Sequence, residues 1–206
     1  MALPPTFKVV LLGEGRVGKT SLLLRFVNNV FSETQPPTIQ ASYLTKRMTL
    51  DGQAVQLAVW DTAGQERFHA LGPIYYRDAD AALLVYDITD VDSFARVKTW
   101  VKELRTMAGK DIVLVLAGNK VDMERNRQVN AEEAEKYAQS INSQVFGTSA
   151  KANKGVEQAF LSIARTLVQR RKSNPGPGAS RHRGSLVQLD DPPAAGKKAS
   201  SSSSCC

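Results

Sequence analysis

Apolar positions along this chain follow two rhythms. Residues 7–12 form an apolar run broken only by Lys8, which reads as a buried strand, while Leu22, Leu23, Phe26 and Val27 recur at helical spacing within residues 21–27. Residues 43–50 and 55–60 flank Asp51-Gly52, a dipeptide that predicts a tight hairpin and therefore an antiparallel pair. A further buried strand is predicted over residues 81–86. Phe94, Val97, Val101, Leu104 and Met107 then mark one face of a helix that Gly109 ends. Residues 112–117 read as another buried strand, and Asn130 with Glu133 as a capping box for a helix running to Ser140. Val145 and Phe146 predict a last short strand; Val156, Phe160, Ile163, Leu167 and Val168 predict a last helix. The sum is an α/β fold, doubly wound, with a mixed but mostly parallel six-stranded sheet and helices on both faces.

Two stretches interrupt these rhythms. Residues 28–42 are polar and proline-containing, a loop long enough to carry function. Residues 66–77, with Phe68, Leu71, Ile74, Tyr75 and Tyr76, are too apolar for an inert loop and are broken by Gly72-Pro73, which predicts a mobile segment with a packing face. Beyond residue 172 the periodicity stops. Pro, Gly, Ala and Ser dominate residues 173–206, so a folded domain over residues 6–172 is expected to be followed by a disordered tail with an r.m.s. span of about 30 Å.

Charge adds one distinction. The formal net charge is +7, but from Arg170 onward seven Lys or Arg face only Asp190 and Asp191, so +5 of the excess lies in that last segment. The excess forms no helical stripe and is not interleaved with aromatic residues, which argues against nucleic acid as a partner. A basic flexible tail suits attraction to anionic lipid instead. The only cysteines are Cys205 and Cys206, so a disulfide framework and a cysteine-based zinc site are excluded. Residues 1–5 carry no secretory signal, and the longest apolar runs are too short to span a bilayer.

The chemistry sits between the first strand and the first helix. Gly13-Glu14-Gly15-Arg16-Val17-Gly18-Lys19-Thr20 matches G-x-x-x-x-G-K-[ST] at every constrained position. Without a Cβ at Gly13, Gly15 and Gly18 the backbone can curl its N–H groups toward phosphate oxygens, and the helix dipole adds to the pull. Lys19 is expected to reach β- and γ-phosphates and Thr20 to offer its hydroxyl to Mg²⁺, with Arg16, Val17 and Ser21 completing the cradle. Asp61, at the end of the second hairpin strand, can lie beside the cradle and hold the metal. Gly64 and Gln65 follow it and are expected to face the terminal phosphate.

A phosphate loop does not by itself separate ATPases, nucleoside kinases and GTPases. Asn119-Lys120-Val121-Asp122 follows the strand at 112–117, at the sheet edge where ligands of doubly wound folds bind. Asp122 can accept both the ring N–H and the exocyclic amine of guanine, a donor pair that adenine lacks, while Lys120 packs its stem along the base. Thr148-Ser149-Ala150-Lys151 can supply backbone N–H groups to the guanine carbonyl. An ATP-using phosphotransferase and a scaffold that holds GTP without hydrolysing it remain the rival readings.

With the phosphate loop, these motifs and residues 60–68 (Trp60-Asp61-Thr62-Ala63-Gly64-Gln65-Glu66-Arg67-Phe68) together with Tyr75-Tyr76-Arg77, the chain resembles the small GTPases of the Ras superfamily over roughly residues 6–171. Within that superfamily it is most similar to the Rab branch and its early-endosomal subgroup, sharing residues 69–74 (His69-Ala70-Leu71-Gly72-Pro73-Ile74). The resemblance implies that Thr38 joins Mg²⁺ and the γ-phosphate only in the GTP state, that Phe31 lies against the guanine, and that Gln65 orients the attacking water. It implies an effector patch of Tyr43, Trp60 and Tyr75, and double geranylgeranylation of Cys205 and Cys206. By the same resemblance the expected partners are an exchange factor, a GTPase-activating protein, a GDP-dissociation inhibitor, an escort protein with its geranylgeranyl transferase, and effectors of the GTP form. The implied location is the cytoplasmic face of early endosomes, with a cytosolic pool. Gln40, where many Rab proteins have glycine, and Gly147, where glutamate is common, depart from the family pattern.

Overall fold

The computed structural model describes residues 3–62, 77–109 and 111–173. Six strands, β1 (Thr6–Leu12), β2 (Ser42–Leu50), β3 (Gln53–Asp61), β4 (Ala81–Asp87), β5 (Val113–Asn119) and β6 (Gln144–Gly147), form one sheet in the order β2-β3-β1-β4-β5-β6. Every pairing is parallel except β2 with β3. That hairpin turns on Asp51 and Gly52, both at positive φ, 49° and 76°, as a two-residue turn matching strand twist requires.

Among the described residues four α-helices cover the sheet: α1 (Lys19–Asn28), α2 (Val91–Met107), α3 (Ala131–Ser140) and α4 (Val156–Ser173). Alternation along the strands decides which face each covers. Val9, Leu11, Leu83, Val85 and Val115 point to the side where α1 brings Leu22, Leu23 and Phe26 and α4 brings Phe160 and Ile163. Val10, Leu12, Leu84, Tyr86 and Leu116 point to the other side, against Phe94, Val97, Trp100 and Leu104 of α2 and Ala134 and Ala138 of α3. Phe26 and Phe160 stack with ring centroids 3.9 Å apart, locking α1 to α4. Each such fully buried side chain contributes about 1.5–3 kcal/mol. Both cores therefore hold β1 in the middle, and its carboxyl end delivers the phosphate loop.

Two expectations need correction. Met107 does not face the core: it stands 53% exposed in the last turn of α2, and Trp100, three residues after Val97, takes the buried position instead. Asn130 does cap α3, accepting from the N–H groups of Glu132 and Glu133, but the Glu133 carboxylate turns to Lys98 at 3.0 Å and pairs across to α2. The helix α2 starts before its apolar period does, because Asp90 caps it by accepting from the N–H groups of Asp92 and Ser93. The expectations for residues 66–77 and for the tail lie outside the described residues, apart from Arg77 and Ser173.

Candidate nucleotide site

A cavity of about 900 Å³ opens where the phosphate loop, the 29–41 loop and the loops after β5 and β6 meet. Its phosphate end is shaped by close backbone approach. A Cβ at Gly13 would stand 2.2 Å from the Val85 carbonyl oxygen of β4, and one at Gly18, where φ is +95°, would stand 2.5 Å from Asn119 Nδ2. Gly18 is also the N-cap of α1, and a glycine offers no side chain to the first turn. Unlike α2 and α3, whose caps are filled by Asp90 and Asn130, α1 presents its first N–H groups to the cavity.

Lys19 is 5% exposed and donates from Nζ to the carbonyls of Gly13 at 2.8 Å and Glu14 at 2.9 Å. Burial pulls its pKa down to about 8, against the opposing pull of Asp61 and Glu14. Beside it lies a cluster of oxygen donors from three segments. Thr20 donates to Asp61 Oδ2 at 2.6 Å, and the Thr20 and Thr38 hydroxyls lie 2.6 Å apart, with Thr38 Oγ1 3.3 Å from the same carboxylate oxygen. Burial pushes the Asp61 carboxyl up, opposed by its hydrogen bonds to Thr20 and Thr38 and by the Lys19 charge. Its other oxygen, Oδ1, is buried with no hydrogen-bond partner among the described residues. An orphaned carboxylate oxygen beside two hydroxyls is costly as it stands, and this hard oxygen set fits Mg²⁺.

At the base end, Asn119 and Asp122 play different parts from one another. Asn119 is buried and donates from Nδ2 to the Val17 carbonyl at 2.8 Å, stapling the phosphate loop to the end of β5, while Thr148 Oγ1 lies 3.3 Å from its Oδ1. Lys120, at φ 69°, pairs with Asp87 Oδ2 at 2.6 Å. Burial pushes the Asp87 carboxyl up, but the bonds from Lys120 and Thr89 outweigh it and hold the pKa below the usual carboxylate range. Asp122 lines the cavity and takes a 2.5 Å hydrogen bond from the Ser149 hydroxyl, which itself accepts from the Ala152 N–H.

The turn after β6 is narrower in what it can offer than the sequence suggests. The Thr148 N–H donates to the Gly118 carbonyl and the Ser149 N–H to the Lys154 carbonyl, which leaves the amides of Ala150 and Lys151 for a ligand. Gly15, Arg16, Gly18, Thr20, Ser21, Phe31, Thr38, Lys120, Ala150 and Lys151 all line the cavity; Gly13, Val17, Asp61 and Ser149 stand behind it, holding those that do. Arg25 was not legible as a site residue, yet its Nε donates to the Ala150 carbonyl at 2.8 Å. A lone arginine in the last turn of a helix carries no motif. On the β2–β3 pair, Tyr43, 54% exposed, stacks on Trp60 at 5.2 Å. Gly64, Gln65, Tyr75, Cys205 and Cys206 lie outside the described residues.

Fold and site together define a phosphate-loop nucleotide-binding protein of the α/β class. The Ras family model matches residues 8–169. The chain is 55% identical to the Ras-related protein Rab-21 of Bos taurus, covering 91% of this chain and 87% of the relative. It is 54% identical to Rab-21 of Homo sapiens over 91% and 86% of the two chains, and 52% identical to Rab-21 of Dictyostelium discoideum over 79% and 77%. The chain belongs to the Ras family, in its Rab branch, and is a small GTPase of vesicle trafficking that hydrolyses GTP to GDP and phosphate. Members of this family hold GTP or GDP with Mg²⁺ and work with exchange factors, GTPase-activating proteins, GDP-dissociation inhibitors and effectors.

Proposed function

We propose that this chain is a membrane-anchored GTP/GDP switch of the endocytic pathway, slow in hydrolysis by itself and accelerated by a partner. The observation that carries this reading is the cluster of Thr20, Thr38 and Asp61, which ties the 29–41 loop to the phosphate end of the cavity. Thr20 and Thr38 are the residues that would hold Mg²⁺, with Asp61 behind them. An ion held there would neutralise charge on the phosphates. Lys19 and the amides of the phosphate loop stabilise the charge that develops as the γ-phosphoryl group leaves, and Gln65 orients the attacking water. Asp122 reads the guanine edge, the amides of Ala150 and Lys151 take its carbonyl, and Phe31 and Lys120 flank its faces. Loss of the γ-phosphate frees Thr38, so the loop that carries it changes order with the nucleotide. An arginine donated by the activating partner is worth roughly 10³ to 10⁵ in rate.

The folded domain spans residues 6–172, and residues 173–206 serve as a tether that carries Cys205 and Cys206. An escort protein and a geranylgeranyl transferase place two lipids there, enough for durable anchoring on the cytoplasmic face of early endosomes. A GDP-dissociation inhibitor keeps the cytosolic pool. Tyr43, Trp60 and Tyr75 form the patch that effectors read in the GTP form.

Competition against fluorescent GDP tests the site. Unlabelled GDP and GTP displace it, ATP does not, and Asp122→Ala lowers that discrimination at least about tenfold, as loss of a carboxylate that accepts two donors of the bound base requires. Equal displacement by ATP overturns the base assignment. Gln65→Leu is expected to bind GTP normally and to lose partner-stimulated hydrolysis; undiminished stimulation removes Gln65 from its role.

A further inference from the structure

The 29–41 loop is tied down at both ends, and only one tie involves the phosphates. Near Thr38 it meets the metal-binding cluster. At its start it meets the base-reading turn, through Arg25. The Arg25 guanidinium donates from Nε to the Ala150 carbonyl at 2.8 Å and from Nη1 to the Asn29 carbonyl and Oδ1 at 2.9 and 3.1 Å, and it lies 5.9 Å from the ring centre of Phe31. Asn153 Nδ2 reaches the same Asn29 Oδ1 at 3.3 Å. Further out, Lys151 Nζ and Glu33 Oε1 pair at 2.6 Å across the cavity mouth, both residues lining it.

We infer that Arg25 and the Glu33–Lys151 ion pair form a clasp between the 29–41 loop and the 150–153 turn that sets the rate at which nucleotide leaves the cavity. The inference rests on the proposed nucleotide site. One guanidinium engages three acceptors and an aromatic face, so the start of the loop, the aromatic ring and the base-reading turn open together or not at all. The outer ion pair is exposed on both sides, hence weak and screened by salt, and serves as the part of the clasp that opens first. Neither component touches the phosphate loop. The clasp therefore holds GDP and GTP alike, whereas Thr38 is tied at the phosphate end of the cavity. Arg25 acts as a positioning residue.

The test is dissociation of fluorescent GDP and of a fluorescent, non-hydrolysable GTP analogue from the full chain with Mg²⁺ present. Arg25→Ala and Arg25→Lys are expected to speed release of both nucleotides by the same factor, about tenfold for the alanine. Glu33→Gln, at an exposed position that leaves the fold alone, is expected to speed release about threefold at low salt and not at all near 1 M salt. In a Lys151→Gln background Glu33→Gln should then have no effect, because the pair is already broken. A Glu33→Gln effect of equal size in both backgrounds overturns the ion pair's role. Unchanged release in both Arg25→Lys and Glu33→Gln, or acceleration confined to the GTP analogue, overturns the clasp. If the unsubstituted chain retains neither nucleotide, the site assignment itself has failed, and that shows before any variant is made.

Discussion

The buried ammonium of Lys19 is costly until a phosphate arrives. In the nucleotide- and metal-free protein its pKa lies near 8 against an ordinary 10.5, because burial disfavours its charge. Between those two values the unfolded chain holds the proton and the folded chain does not, so stability rises with pH across that window. Below about 8 both states are charged and the penalty is complete. Melting temperatures of nucleotide-free protein from pH 7.5 to 10.5 should show this rise, and Lys19→Met should flatten it. Ser149 shows the same scale of effect on the ligand side. Its hydroxyl holds Asp122 at 2.5 Å, so Ser149→Ala frees the carboxylate to rotate and should weaken GDP binding about tenfold, read by equilibrium titration. That Asp122 lies at the cavity was legible from its spacing. Ser149 was expected to give its backbone N–H and gives its side chain instead, because the N–H is spent on Lys154, a pairing set by how the chain folds back after β6.

Elements differ in how openly the sequence announces them. The strands β1, β4 and β5 are nearly continuous apolar runs because helices cover both faces, so their existence was plain. The start of α2 was not, since its apolar face begins at Phe94 while its hydrogen bonding begins with the Asp90 cap. Asp90→Ala should cost about 1 kcal/mol and lower the melting temperature by about 2–4 °C, measured with nucleotide bound. The glycine that caps α1 tells the opposite story: a helix start left bare of side chains is a weak helix start and a good anion site. Arg25 belongs to this scale as well. Its partners, Asn29 and Ala150, sit 4 and 125 positions away, and no local pattern links the second pair.

At the scale of the molecule, ligand and fold share one stability. Nucleotide at a thousandfold excess over Kd should add about 4 kcal/mol to the folded state, and chelating Mg²⁺ should lower the melting temperature of the nucleotide complex. Asp61→Asn should lose most of that Mg²⁺ response, since the buried carboxylate behind Thr20 and Thr38 is gone. The sheet order also carries a history. Strands β2, β3, β1 and β4, which shape the phosphate end, are all made within the first 87 residues; Asn119, Ala150 and Lys151, which complete the base end, come much later. At about 5–20 residues per second a ribosome spends several seconds between the two. During that interval the growing chain carries the residues of the phosphate end without those that hold them in place, so the two ends of the cavity are made apart and are joined only when Asn119 reaches the Val17 carbonyl and Phe160 stacks on Phe26.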